Sequence, residues 1–96
     1  FVIPVSTTLD LKKAAKAAGV KSVEMLPQAE LLPLTGYVHG GCSPIGMKKQ
    51  FRTFVDETAA LWDSIVFSAG RRGCQVDMDP NKLAELVSAS FLDLTN

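Results

Sequence analysis

The residues best suited to chemistry lie in one run, Gly40-Gly41-Cys42-Ser43-Pro44. Glycine lets backbone N–H groups crowd together at dihedrals closed to other residues. Gathered amides bind a phosphate, or hold an oxygen that turns negative when a carbonyl is attacked. The GxxxxGK[ST] spacing of a phosphate loop is absent, and so is the GxSxG of a nucleophile elbow. A tight structural loop explains the same composition, so both readings stand. Cys42 would need a base to become a thiolate nucleophile. His39, the single histidine, is three positions away on a loop that guarantees no geometry. Cys42 therefore reads as a small apolar filler, and His39 as a loop side chain with a hydrogen-bond partner.

Basic residues flank this run. Lys48, Lys49 and Arg52 follow it, and Arg71 and Arg72 occupy a later turn. They suit the phosphates of a nucleic acid, and a solvated charged face accounts for them as well. Lys12, Lys13 and Lys16 read as the wet side of a helix. Ser68 ends a strand, where a hydroxyl faces a pocket or caps the strand. Gln75 and Asp77 alternate with Val76 and share one face. Turned inward they would bond a polar ligand, and turned outward they meet water.

Composition narrows the classes. Ten basic residues balance ten acidic ones, against a strongly basic nucleic-acid binder but not against a local patch. Cys42 and Cys74 form no metal-ligand spacing with each other or with His39, so no metal is expected. No apolar run reaches membrane-spanning length, and no charged segment leads into an apolar one as in a secretory signal. The two cysteines read as reduced thiols of a cytoplasmic protein.

The positioning elements follow from pattern. Residues 1–96 are enough for one small domain. Phe1 to Val5 suggests a strand, ended or placed at an edge by Pro4. Asp10 caps a helix whose Leu11, Ala14, Ala15 and Ala18 lie on one stripe, and Gly19 stops it. Ser22 to Met25 is a short strand candidate. A second helix runs from Pro27 through Leu32 and ends at Pro33. Gly36 to Gly46 is a loop. Phe51 to Asp56 alternates as a strand with two partly buried faces, and Thr58 to Trp62 is a turn or short helical piece. Ser64 to Ser68 and Cys74 to Met78 read as a hairpin around Ala69–Gly73. Asp79-Pro80 opens a last helix with Leu83, Leu86, Val87 and Phe91 on its apolar face. This order predicts an α+β fold, a mixed, partly open barrel-like sheet with flanking helices.

Several of these stretches together resemble the YbaK family of aminoacyl-tRNA deacylases. They are Leu9–Lys16, Thr35-Gly36-Tyr37, the Gly40–Gly46 loop with Lys48-Lys49, Val55-Asp56, Val66–Gly73, and a closing helix from Asp79 to Leu94. The likeness is colinear over nearly the whole chain, and the loop is its most specific part. That family is similar to the editing insertion of bacterial prolyl-tRNA synthetases. The resemblance implies a hydrolase that removes cysteine or alanine from mischarged tRNA(Pro), with no cofactor, no metal and no covalent enzyme intermediate. For cysteine, the substrate's own thiol is thought to attack the ester.

Carried over by motif, Gly40 and Pro44, with Gly41 and Ser43 beside them, would hold the aminoacyl ester and terminal adenosine. Ser68 matches a pocket serine, and Gln75 stands where some members carry Asp. Lys48, Lys49, Arg71 and Arg72 would meet the tRNA. The family's essential lysine lies in an N-terminal portion of about sixty residues that has no counterpart among these residues. The resemblance therefore implies a C-terminal part of a longer enzyme, poorly active alone. An alternative is a non-catalytic module that holds a tRNA end or binds prolyl-tRNA synthetase. An unpaired strand edge in a truncated barrel further predicts a homodimer, or apolar surface left open.

Overall fold

The computed structural model describes residues 1–96. Its elements in order are α1 (Leu11–Ala18), a 3₁₀ turn (Gln28–Glu30), α2 (Leu31–Thr35), β1 (Phe54–Asp56), a 3₁₀ turn (Glu57–Leu61), β2 (Ile65–Arg71), β3 (Cys74–Met78), α3 (Pro80–Val87) and β4 (Ser90–Leu92). The α+β class and the open, mixed sheet are as the pattern predicts. The strands form two separate ladders, parallel β1–β4 and antiparallel β2–β3, rather than one curled sheet.

The helix ends follow local chemistry. The Asp10 carboxylate accepts from the Lys12 and Lys13 amides and caps α1, and Gly19 closes it in the left-handed conformation. Ala14 and Ala15 are buried, but Leu11 is 40% exposed, so the apolar stripe is narrower than its spacing suggests. Lys13 is not simply a wet-face residue. Its Nζ donates to Asp93 Oδ2 at 2.9 Å and to the Thr95 carbonyl at 2.7 Å, docking α1 onto the last segment. The bond to Asp93 raises its pKa, burial opposes that, and the neighbouring carboxylates add to the rise.

Asp79 caps α3 by accepting from the Asn81 amide at 2.8 Å, with Pro80 at the first helical position as expected. This helix stops at Val87, not Leu94. Ser88 turns left-handed there, and Ser90–Leu92 pairs with β1 instead. Leu83 and Val87 are buried, whereas Leu86 faces water.

Four other expectations are corrected. Ser22 to Met25 forms no strand, because no partner ladder is offered to it. Pro33 does not end its helix but lies within α2. In a first turn the missing N–H has no intrahelical acceptor to lose. The strand read at Phe51–Asp56 is paired only from Phe54, while β2 runs three residues past Ser68. An irregularity between Ser68 and Arg71 absorbs Ala69-Gly70 and restores pairing at Arg71 and Cys74.

The core gathers around β1. The Val2 amide donates to the Phe54 carbonyl, and the Asp56 amide donates to the Val2 carbonyl, both at 2.8 Å. On the other side, Phe54, Val55 and Asp56 register with Ser90, Phe91 and Leu92. Val55, Leu83 and Leu94 are fully enclosed. Each such side chain contributes roughly 1.5–3 kcal/mol.

Asp56 is the charged member of this core, 2% exposed. Its Oδ1 accepts from the Leu94 amide at 3.0 Å, and its Oδ2 accepts from the Thr58 amide at 3.2 Å and from the Thr58 hydroxyl. Burial alone would raise its pKa. The bonds from Thr58 and Leu94, with the charge of Lys13, outweigh burial and hold it below the usual carboxylate value. The unfolded chain thus takes up this proton more readily than the folded one. The stabilisation is complete above the unfolded pKa of about 3.9 and is lost as pH falls through the lower folded value. Acid melting curves should therefore show a stability loss below about pH 4 that is reduced in Asp56→Asn. Asp56→Ala, which strands the buried Leu94 amide and frees the Thr58 turn, is expected to cost about 2–3 kcal/mol in urea denaturation.

Candidate functional site

The loop from Gly36 to Gln50 connects α2 to the approach of β1. It is held by five local hydrogen bonds. The Lys48 amide donates to the Thr35 carbonyl at 2.8 Å and closes the neck. The Gly41 amide donates to the Val38 carbonyl at 2.9 Å. The Ile45 amide donates to Ser43 Oγ at 3.2 Å. Across the loop, the Tyr37 hydroxyl donates to the Ile45 carbonyl, and its own amide donates to Thr35 Oγ1.

Two glycine contacts press this loop onto the β2–β3 hairpin. A Cβ on Gly41 would lie 3.2 Å from the Arg72 nitrogen and 3.3 Å from the Arg71 carbonyl carbon, so backbone meets backbone there. A Cβ on Gly70 would lie 2.8 Å from Tyr37 Cε1, and Gly70 also sits at φ 104°. Only glycine fills that position without displacement. Arg72 adds a third tie, its Nε donating to the His39 carbonyl at 2.8 Å.

Beside the loop opens a cleft of about 550 Å³, whose walls include Ser43, Pro44, Met47, Phe51, Arg52 and Phe67. That volume suits a small organic ligand. Ser43 is 6% exposed, and its Oγ accepts one bond while its own hydroxyl proton stays uncommitted. The amides of Cys42 and Ser43 make no hydrogen bond to the chain. The lining is mainly apolar, and no lysine, histidine or carboxylate belongs to it.

The sequence-predicted residues divide into groups. Ser43 and Pro44 line the cleft. Gly40 and Gly41 do not; they lie under Arg71 and Arg72. Ser68 and Gln75 face one another in register across the hairpin, outside the cleft wall. Alternation explains this: Phe67 turns to the cleft, so Ser68 turns away, its Oγ accepting from the Gly70 amide. Gln75 and Asp77 both face water. Lys48, Lys49, Arg71 and Arg72 are exposed outside the lining, Lys49 sitting 5.7 Å over the Phe51 ring.

Cys42 is exposed and lines the cleft rather than filling an apolar gap. Its Sγ contacts the Val38 carbonyl at 3.5 Å, so it forms no dyad with His39. The His39 ring has no hydrogen bond; its carbonyl is the bonded group. Tyr37 has a larger part than its sequence suggests, its one signal being an aromatic residue set among glycines.

A second groove, about 320 Å³, runs between β2 and the N-terminal segment, which forms only a single bridge at Val2 rather than the expected strand, and is lined by Val2, Ile3, Val55, Trp62, Ile65 and Val66 among others. Trp62 at its rim is 67% exposed.

Comparison with known proteins places these features. The profile of the aminoacyl-tRNA editing domain matches residues 1–86. EbsC of Enterococcus faecalis, named as a candidate Cys-tRNA(Pro)/Cys-tRNA(Cys) deacylase, is 50% identical over 94 residues, which are 98% of this chain and 57% of EbsC. The chain thus spans little more than half of that relative. A solved candidate trans-editing enzyme for prolyl tRNA synthetase matches with a TM-score of 0.84 at 25% identity, over 95% of this chain and 57% of that one. The hypothetical protein APE2540 has the same fold, with a TM-score of 0.87 at 22% identity over 98% of this chain and 63% of its own.

The contact between Tyr37 and Gly70 can be measured directly. Gly70→Ala should lower stability by about 1–3 kcal/mol through strain at positive φ and overpacking. Tyr37→Phe, which removes one bond and keeps the ring, should cost about 1 kcal/mol in the same denaturation assay.

Proposed function

The chain belongs to the aminoacyl-tRNA editing domain family, and from there we propose that the whole protein is a deacylase that removes a wrong amino acid, cysteine or alanine, from tRNA(Pro). Residues 1–96 are read as a single editing domain of that protein. The observation that carries the reading is the cleft beside Ser43 and Pro44, where the Cys42 and Ser43 amides have no partner in the chain. An aminoacyl ester seated there would place its carbonyl oxygen near unspent donors. Such donors strengthen their bonds as the oxygen gains charge, which lowers the barrier. For cysteine, the attacking group is the substrate's own thiol: its sulfur bonds to the carbonyl carbon, the ester C–O bond breaks, and the ribose oxygen leaves as a hydroxyl carrying the thiol's proton. Gly40 and Gly41 support the loop from behind, and Ser68 and Gln75 are assigned to substrate binding by family motif alone. Lys48, Lys49, Arg71 and Arg72 are exposed and suited to tRNA phosphates.

A second reading is a non-catalytic module that holds a tRNA end or sits beside prolyl-tRNA synthetase. The cleft lining holds no lysine, histidine or carboxylate, and this does not separate the two readings, since the resemblance places the essential lysine outside these residues. The proposal also includes a cytoplasmic location and a homodimer. Exposed Val5, Leu61, Trp62 and Val66 support self-association. No helix of the structure is long and apolar enough to cross a membrane.

The full-length protein is expected to release cysteine or alanine from charged tRNA(Pro), and the isolated 96 residues to turn over neither. Ser43→Pro, which deletes one amide donor, should lower the rate about 10²-fold. Ser43→Ala keeps that donor and should lose less. Binding of an aminoacyl-adenosine analogue by the full-length protein without any turnover would favour the second reading. Sedimentation velocity tests the dimer, and a monomer at every loading concentration would remove it.

A further inference from the structure

Five basic residues surround the loop, and the structure separates one from the rest. Arg52 is the one charged side chain in the lining of the large cleft. Its guanidinium lies 5.3 Å over the Phe54 ring. That ring is itself fixed, buried in the core and stacked on Phe1 at 5.4 Å. A cation held over a ring keeps a defined place. Arg52 makes no ion pair, since the one salt bridge in the chain joins Lys13 and Asp93. Its side chain donates no hydrogen bond to the protein, in contrast to Arg72, which is tied to His39. All five guanidinium N–H donors are therefore available, in a fork that matches two oxygens of a phosphate. No acidic side chain lines the cleft to neutralise it.

The remaining lining, including Leu34, Met47, Phe51 and Phe67, is apolar. Such a cleft fits a flat, weakly polar body that carries one negative group at one end. A nucleoside 5′-phosphate has that shape and charge. In an aminoacyl-tRNA the amino acid's carboxyl is esterified and offers no anion. The nearest one is the phosphodiester on the 5′ side of the terminal nucleoside.

We propose that Arg52 anchors this phosphodiester and so sets how deeply the terminal aminoacyl-nucleoside enters the cleft. The proposal rests on the editing reading and adds a ligand contact to it. Lys48 and Lys49, outside the lining, meet phosphates further along the RNA.

Two stable probes separate the claims: an amide-linked cysteinyl-adenosine, and the same compound carrying a 5′-phosphate methyl ester. Calorimetry on the full-length protein gives the Kd of each for the wild type, Arg52→Gln and Arg52→Lys. Thermal melts check that the variants are folded. The wild type should bind the phosphate-bearing probe about tenfold more tightly, the size of one charge-assisted contact. Arg52→Gln should lose that preference and keep its affinity for the phosphate-free probe. Arg52→Lys should retain part of it, having the charge without the planar fork. An undiminished preference in Arg52→Gln overturns the anchor and leaves the editing reading intact. Equal binding of the two probes by the wild type does the same. Failure of the wild type to bind either probe overturns both.

Discussion

The three residues of β1 are the constraint on which the rest of this structure depends. Their backbone is bonded to Val2 on one side and registered with Ser90–Leu92 on the other. Asp56 extends that hold, its carboxylate reaching the Leu94 amide and the Thr58 turn. A buried carboxylate is costly unless every lone pair is used. Here the bonds outweigh burial, and the group stays ionised. Residues far apart in sequence are thereby fixed against one short strand. A chain with so few buried residues has little other means of defining its centre.

The cleft depends on that centre at one remove. Phe51, Arg52 and Thr53 lead into β1 and form part of its wall, while the loop supplies Ser43 and Pro44. The loop does not keep its shape by glycine alone. Tyr37 crosses it to Ile45, and its ring bears on Gly70 of the hairpin. Two elements that share no ladder are thus joined at a point where only hydrogen fits. The Gly41 and Ile45 amides on either side are bonded within the loop, while the Cys42 and Ser43 amides between them are unspent. Unspent donors held by a rigid surround can favour a developing charge without reorganising.

The charge pattern has a comparable logic. The chain is neutral as a whole, yet five of its ten basic residues, Lys48, Lys49, Arg52, Arg71 and Arg72, follow the loop or occupy the hairpin turn. Arg52 differs from the others through burial of its neighbour rather than of itself. Phe54 is packed in the core, and the guanidinium takes its position from that ring. A structural aromatic thus orients a surface charge.

Sequence by itself determined what neighbours within a few positions decide. Asp10 and Gly19 bound α1, Asp79-Pro80 opens α3, and the hairpin of β2 and β3 was legible, because caps, turns and alternation act locally. The loop's composition and motif were equally plain, and so was the family. Tertiary structure alone decided that Ser90–Leu92 is a strand, since its partner β1 lies 36 positions earlier in register. It also denied Ser22–Met25 a partner, opened Cys42 to the cleft, and turned Ser68 and Gln75 away from it while admitting Arg52. Those outcomes depend on which ladder is vacant and which face a strand presents once packed, and neither is a property of the segment itself.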